Sequence, residues 1–251
     1  MEYYYRRLLS NKNYKITFII LFIIMTSDLI ILNRQIPELF QYNQSTFLAG
    51  NSFGHYMQMA LLWLLPVYLM LSTSSWFCID CKNQTHKILI LKFGKKKYLK
   101  FYLLTVFLSN FFVFFINFLI NYLLAFIINN SGKFSPYGIN FNLDGSDLAL
   151  QLNHPIISNL IFIVITCLLI GIFSVFISCI SFIFSKISYT FFVAMLIWLL
   201  LLTGDFSVML IFQPFAEYSF SYIGKIFAFV SVGIVTLSVF LYNYRIKLDE
   251  I

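Results

Sequence analysis

KKKYLKFYLLTVFLSNFFVFFINFLINYLLAFII, residues 95–128, opens with Lys95, Lys96, Lys97 and Lys100 and then carries no further charge. From residue 99 to 128 the run is about 30 residues, or ~45 Å as a helix at 1.5 Å per residue. That exceeds the ~30 Å hydrocarbon layer of a bilayer, so the helix has room to tilt or to project beyond it. Its Phe, Ile and Leu would also suit buried strands, but strands do not run to this length. Residues 99–128 therefore predict a transmembrane helix, with its lysines marking one end.

Working outward, five more runs of this kind appear, at about 15–32, 53–77, 156–184, 187–203 and 222–243. Pro66 predicts a kink in the 53–77 run, because proline removes one backbone donor. No run alternates apolar and polar residues as the strands of a membrane barrel do. Composition agrees: the 251 residues are 60% hydrophobic and 11% charged, with a mean hydropathy of +0.85. A soluble domain would need more charge to clothe a core of that size. The expected fold is an all-α polytopic membrane protein, one domain over 1–251, with six transmembrane helices.

Short basic loops resist translocation, so lysine and arginine set the orientation. With both termini cytoplasmic, only Arg34, Lys133 and Lys225 of the 17 basic residues fall outside. The start resembles a signal peptide, but DLIILNRQIPELF (28–40) has no small-x-small cleavage site, so the first run is read as a retained span. Cys78 and Cys81 fall inside and Cys167 and Cys179 within the fourth span, so no disulfide framework is implied.

The segment CIDCKNQTHKILILKFGKKKYLK (78–100) then lies on the inner side between spans two and three. Two cysteines and one histidine fall short of the four ligands of a structural zinc site. Its lysines sit beside anionic headgroups, each attracted by about 1 kcal/mol, so they read as a topological anchor and not as a nucleic-acid patch. Between Asp80 and Gly94 the sequence changes from polar (DCKNQTHK) to apolar (ILILKF). At helical pitch 82–93 measures about 18 Å, too short to cross. It predicts an interfacial helix with Ile88, Leu89 and Leu91 toward lipid and Asn83, Gln84, His86 and Lys87 toward the cytoplasm.

Six spans with both ends inside, the basic N-terminal segment MEYYYRRLLSNKNYK (1–15), and an acidic-x(n)-Thr-x-x-Ile-Leu stretch from Asp80 to Leu89 together resemble the permease subunits of ABC transporters of the second type. Within that family the layout is most similar to bacteriocin-immunity and phenol-soluble-modulin exporter permeases. The resemblance implies an interfacial N-terminal segment (1–14) and a coupling helix at about 80–94. Asp80, Asn83, Gln84, Thr85, His86 and Lys87 would dock there on an ATPase. It also implies a re-entrant outer hairpin between spans five and six, for which 204–221 (GDFSVMLIFQPFAEYSFS) offers two short apolar pieces broken at Pro214. Two ATPase subunits, a second permease (the same or a sister chain), the lipid bilayer and an amphipathic peptide substrate are the implied partners, in a bacterial cytoplasmic membrane.

No G-x-x-x-x-G-K-[ST] loop occurs, so ATP and its Mg²⁺ would belong to the partner ATPase and this chain has no cofactor of its own. HExxH and G-x-S-x-G are absent, and no metal site or catalytic residue is expected. Asn110, Asn117 and Asn121 share one face of the third span and read as either interhelical packing or a translocation path. Cys167, Gly171, Ser174, Ser178, Ser181 and Ser185 share a small-residue face of the fourth, which favours close helix packing. Asp28 is a costly intramembrane carboxylate, expected to snorkel to the outer interface. LDGSD (143–147) reads as a solvated turn, and Asp205 and Glu217 as anchors of the hairpin. Two other classes stay open: an ion- or proton-coupled secondary transporter, with Asp28 as its candidate residue, and a membrane scaffold or sensor without transport.

Overall fold

The computed structural model describes residues 2–35, 46–48, 55–128, 147–204, 206–215 and 218–247. Lys133, Asp205, Glu217, the first four residues of LDGSD and the first two of the second expected span lie outside the described residues. All the described regular structure is helical. α1 (Glu2–Ser10) and α2 (Lys12–Gln35) are separated at Asn11, whose Oδ1 accepts the Tyr14 N–H at 3.2 Å and so caps the start of α2. α3 (Tyr56–Trp63) and α4 (Leu65–Leu69) follow, then a π-helical turn (Met70–Ser74), α5 (Trp76–Lys82), α6 (Thr85–Phe93) and α7 (Lys95–Ile128). α8 (Asp147–Asn153), α9 (Pro155–Ile183), α10 (Ile187–Leu202), a 3₁₀ turn (Val208–Phe212) and α11 (Phe220–Lys247) complete the chain.

α2, α7, α9 and α11 are each long and apolar enough to cross a membrane, and α3 with α4 and the π turn makes a fifth such unit, bent by 63°. The bend falls where Pro66 was expected to kink the span. Proline cannot donate to the carbonyl of Leu62, and that oxygen instead takes the indole N–H of Trp198 from α10 at 2.7 Å. The expected fifth span falls short: α10 has 16 residues, about 24 Å at helical rise.

α9 is the most enclosed of the long helices and packs against α7, α10, α11 and the π turn. Its small-residue face explains this. Ser174 Oγ reaches Val106 O and Ser178 Oγ lies 3.5 Å from the Tyr102 hydroxyl, while a Cβ on Gly171 would stand 2.8 Å from the Phe107 ring. These pairs step in opposite directions along α7 and α9, so the two are antiparallel. Tyr14 meets Ser109 and Met25 meets Asn121, so α2 runs parallel to α7. Lys95 Nζ donates to the carbonyls of Arg245 and Ile246 at 3.0 and 2.9 Å. The start of α2, the start of α7 and the end of α11 thus share one end of the bundle, the lysine-rich one.

Two expected elements differ in form. The interfacial helix of 80–94 is a helix–turn–helix: α5 continues the bent span to Lys82, and α6 begins only at Thr85. The turn works because Gln84 adopts a left-handed conformation (φ 57°), and Gly94 (φ 79°) ends α6 before α7. The hairpin of 204–221 is a single buried 3₁₀ turn. Val208, Ile211 and Phe212 are fully enclosed by α9, α10 and α11, and among the described residues no second helical piece precedes α11 at Phe220.

Candidate functional site

At the lysine-rich end one carboxylate organises four elements. Asp80, near the end of α5, is 3% exposed. Arg7 of α1 meets it in a two-pronged pair, Nη1 to Oδ2 and Nη2 to Oδ1, both 2.8 Å. The Tyr98 hydroxyl of α7 donates to Oδ2 at 3.1 Å and the Thr85 hydroxyl of α6 to Oδ1 at 3.2 Å. His86 Nδ1 lies 3.2 Å from the Asp80 carbonyl oxygen. Planar guanidinium and carboxylate match in two parallel hydrogen bonds, the strongest geometry such a pair has. The Trp76 ring lies 4.5 Å from the Arg7 guanidinium carbon and adds a cation–π contact. Burial alone would lower the pKa of Arg7, but the hydrogen bonds and charge of Asp80 outweigh it and hold the guanidinium above its ordinary range. Burial, with Asp80 nearby, pushes the Tyr4 phenol far up as well. The site keeps Arg7 charged and Tyr4 neutral. An apolar cluster of Tyr4, Trp76, Phe77, Leu89, Tyr98 and Tyr102 surrounds it, so α1, α5, α6 and the start of α7 form one packed unit.

The six residues expected to dock a partner are therefore divided. Asp80 is no surface ligand, because its two oxygens are occupied within the chain. Thr85 and His86 are half-buried against it, and Asn83, Gln84 and Lys87 face outward. Nor do Ile88, Leu89 and Leu91 turn to one side as expected. Steps of 100° put Leu89 with His86 and Phe93 on the packed face, leaving Ile88 and Leu91 exposed at 65% and 88% beside Gln84 and Lys87. The outward surface of α6 is thus two apolar knobs rimmed by polar and cationic side chains.

The C-x-x-C-x-x-x-x-H spacing does not converge. The Cys78 sulfur faces Thr190 Oγ1 at 3.7 Å, while His86 turns to Asp80. Among the described residues no three of His, Cys, Asp and Glu gather as metal ligands. All four cysteines are free thiols, and burial pushes the Cys81 thiol up against the opposing hydrogen bond of Ser185.

The intramembrane candidates lie elsewhere. Asn110 donates to Thr73 Oγ1 at 2.9 Å, and Asn121 joins Met25 O at 3.0 Å to the Phe47 N–H at 2.8 Å. Asn117 donates to Val113 O within its own helix, and its Oδ1 is buried without a partner. Asn110 and Asn121 bridge helices, as polar residues in lipid commonly do. The π turn lies at the centre of this polar seam. Its unconventional carbonyls are satisfied by side chains: Met70 O by Ser75, and Ser74 O by Tyr102 and Ser178.

Asp28 does not snorkel. It is 1% exposed, accepts the Met57 N–H at 3.1 Å, and meets His55 Nδ1 at 2.6 Å, so it caps α3 from α2. His55 Nε2 is buried without a partner. Asp147, the last residue of LDGSD, likewise caps α11, accepting the Phe220 N–H at 2.8 Å.

Arg7, Tyr98 and Trp76 were not singled out from the sequence. One signal for Arg7 was available: Asp80 is the sole carboxylate between residues 39 and 143. A lone acid beside a surplus of cations invites a search for its partner.

No family model matches the chain, and no solved structure does. One relative is the uncharacterized protein YybM of Bacillus subtilis (strain 168), 32% identical over 244 residues that cover 96% of this chain and 93% of YybM. At that identity and coverage, the chain belongs to the same family as YybM.

Proposed function

We propose that this chain is the membrane-spanning permease subunit of an ABC transporter in a bacterial cytoplasmic membrane, exporting amphipathic or hydrophobic peptides, for toxin export or self-immunity, with ATP hydrolysed by a separate subunit. The observation that carries this reading is the braced helix–turn–helix at the lysine-rich end. Asp80, Arg7, Tyr98 and Thr85 tie it to the N-terminal helix and to α7, while Asn83, Gln84, Lys87, Ile88 and Leu91 remain presented outward. A force applied by an ATPase at Gln84–Lys87 would pass through the Asp80 network into α7, and from α7 across the small-residue contact into α9. Such rigid-body transmission is a familiar form of switching. Two ATPases, with Mg²⁺ at their own nucleotide sites, and a second permease complete the assembly. A low-charge, phenylalanine-rich bundle suits a substrate that enters from lipid.

The test is co-purification with an ATPase subunit that carries a phosphate loop, followed by replacement of Asn83, Gln84 and Lys87 with alanine. Loss of assembly, or of substrate-stimulated ATP hydrolysis, supports the docking role; unchanged assembly and hydrolysis refute it.

A proton-coupled transporter is the second reading, and the buried Asp28–His55 pair favours it, since intramembrane ionisable pairs often mark proton relays. Transport abolished by Asp28→Asn, in a protein that needs no ATPase, would select this reading.

A further inference from the structure

α7, α9 and α11 enclose a lateral groove of about 420 Å³. Its walls are Leu103 and Phe107 from α7, Ile172 and Val175 from α9, and Val235 and Val239 from α11. The polar atoms nearby are turned inward: Ser238 Oγ donates to Ile234 O at 2.7 Å, and Cys179 is fully buried. The floor depends on Gly171. A side chain there would collide with the Phe107 ring, whereas glycine lets that ring approach α9 closely.

The groove has a charged mouth and an apolar depth. Lys100 and Tyr242 stand at the end nearest the lysine-rich loop, and Lys96, one turn earlier on the same face of α7, extends the cationic stripe. From Lys100 to Phe107 the rise is about 10 Å, less than half of the ~30 Å hydrocarbon layer. The groove therefore lies within a single leaflet, and the excess of lysine makes that leaflet the inner one. Lys100 at its mouth and the exposed Lys96 one turn earlier complement a negative headgroup, and basic pockets between transmembrane helices are suited to one.

We infer that this groove is a binding site for an anionic phospholipid of the inner leaflet, with one acyl chain along Leu103–Phe107 and its phosphate at Lys96 and Lys100. The inference is independent of the transport reading. The lipid would wedge α7, α9 and α11 together and set the spacing of the helix pair that carries the small-residue contact.

Native mass spectrometry of the full chain released from mild detergent tests this, with phosphatidylglycerol and phosphatidylcholine of identical acyl chains as probes. Wild type should retain phosphatidylglycerol over phosphatidylcholine. Lys96→Gln with Lys100→Gln should weaken phosphatidylglycerol retention about thirtyfold, since each lysine contributes about 1 kcal/mol to an anionic surface. Val239→Trp should fill the groove and remove binding of both lipids. Val239 is 52% exposed, so this replacement leaves the packed core intact. Equal retention of the two lipids, indifference to the lysine changes, or full retention by Val239→Trp would each overturn the assignment. So would a disulfide-linked dimer through Val239→Cys in a lipid-saturated sample, which would make the groove a contact between copies.

Discussion

Removing the Asp80 carboxylate should detach the N-terminal helix from the α5–α6 helix–turn–helix. In Asp80→Ala, Arg7 loses both of its 2.8 Å hydrogen bonds, and the hydroxyls of Tyr98 and Thr85 lose their acceptor. Stranding one member of a buried pair costs about 3–5 kcal/mol, and the low end applies because the Arg7 side chain keeps 18% of its surface in solvent. For a chain of this length, about 3 kcal/mol corresponds to roughly 6–12 °C in melting temperature. Arg7→Ala should fall in the same range, because it leaves a carboxylate that is 4% exposed to only two neutral donors. The double variant Arg7→Met/Asp80→Leu removes both charges together and should recover most of the loss, as apolar replacement of a buried pair often does. The assay is thermal unfolding in detergent for the four proteins of the cycle, alongside limited proteolysis at residues 1–11. Single variants within about 1 °C of wild type, or a double variant as unstable as the sum of the singles, would refute the reasoning.

Four further outcomes follow from particular contacts. Trp198→Phe removes the indole N–H that the Leu62 carbonyl accepts beside Pro66 and shrinks a fully buried ring, and should cost about 1–3 kcal/mol in the same thermal assay. Gly171→Ala places a methyl against Phe107 and should destabilise by about 1–3 kcal/mol, with Phe107→Leu restoring most of it. Gln84→Gly relieves a left-handed non-glycine turn and should stabilise by about 1 kcal/mol while deleting a side chain of the proposed docking surface, so reduced binding of the proposed ATPase by a more stable protein would separate docking from folding. The Cys81 thiol is held above its ordinary value, so less thiolate is present at any given pH. Its alkylation rate should keep rising with pH beyond the point where an exposed model thiol levels off, and a plateau at the model's pH would contradict this.

The membrane imposes the features that proved most readable. A helix must be about 20 apolar residues long to cross, and α2, α7, α9 and α11 announce themselves on that ground. Helical period also placed Asn110, Asn117 and Asn121 on one buried face, and the small residues of α9 against a neighbour. Period alone cannot name the partner, however. Asp28 looked free to snorkel because His55 is 27 residues away, and Asp80 looked like a polar surface residue because Arg7 is 73 residues away. In α6, the run ILIL promised one apolar side, yet four successive residues spread around the whole helix: Leu89 is buried, Ile90 packs half-buried beside it, and Ile88 and Leu91 are exposed. Where the chain breaks was harder still. The turn at Gln84 uses a residue with no intrinsic left-handed preference, and the π turn at Met70–Ser74 depends on hydroxyls from Tyr102 and Ser178 that belong to other helices.

The most direct measurement is photocrosslinking in living cells from a photoreactive amino acid at position 84, at the tip of the helix–turn–helix. The proposed function predicts a covalent adduct with an ATP-binding subunit that carries a phosphate loop, lost when Lys87 and Leu91 are both replaced by alanine. An adduct only with lipid or with an extracellular protein, or none at all in fully folded protein, would contradict it.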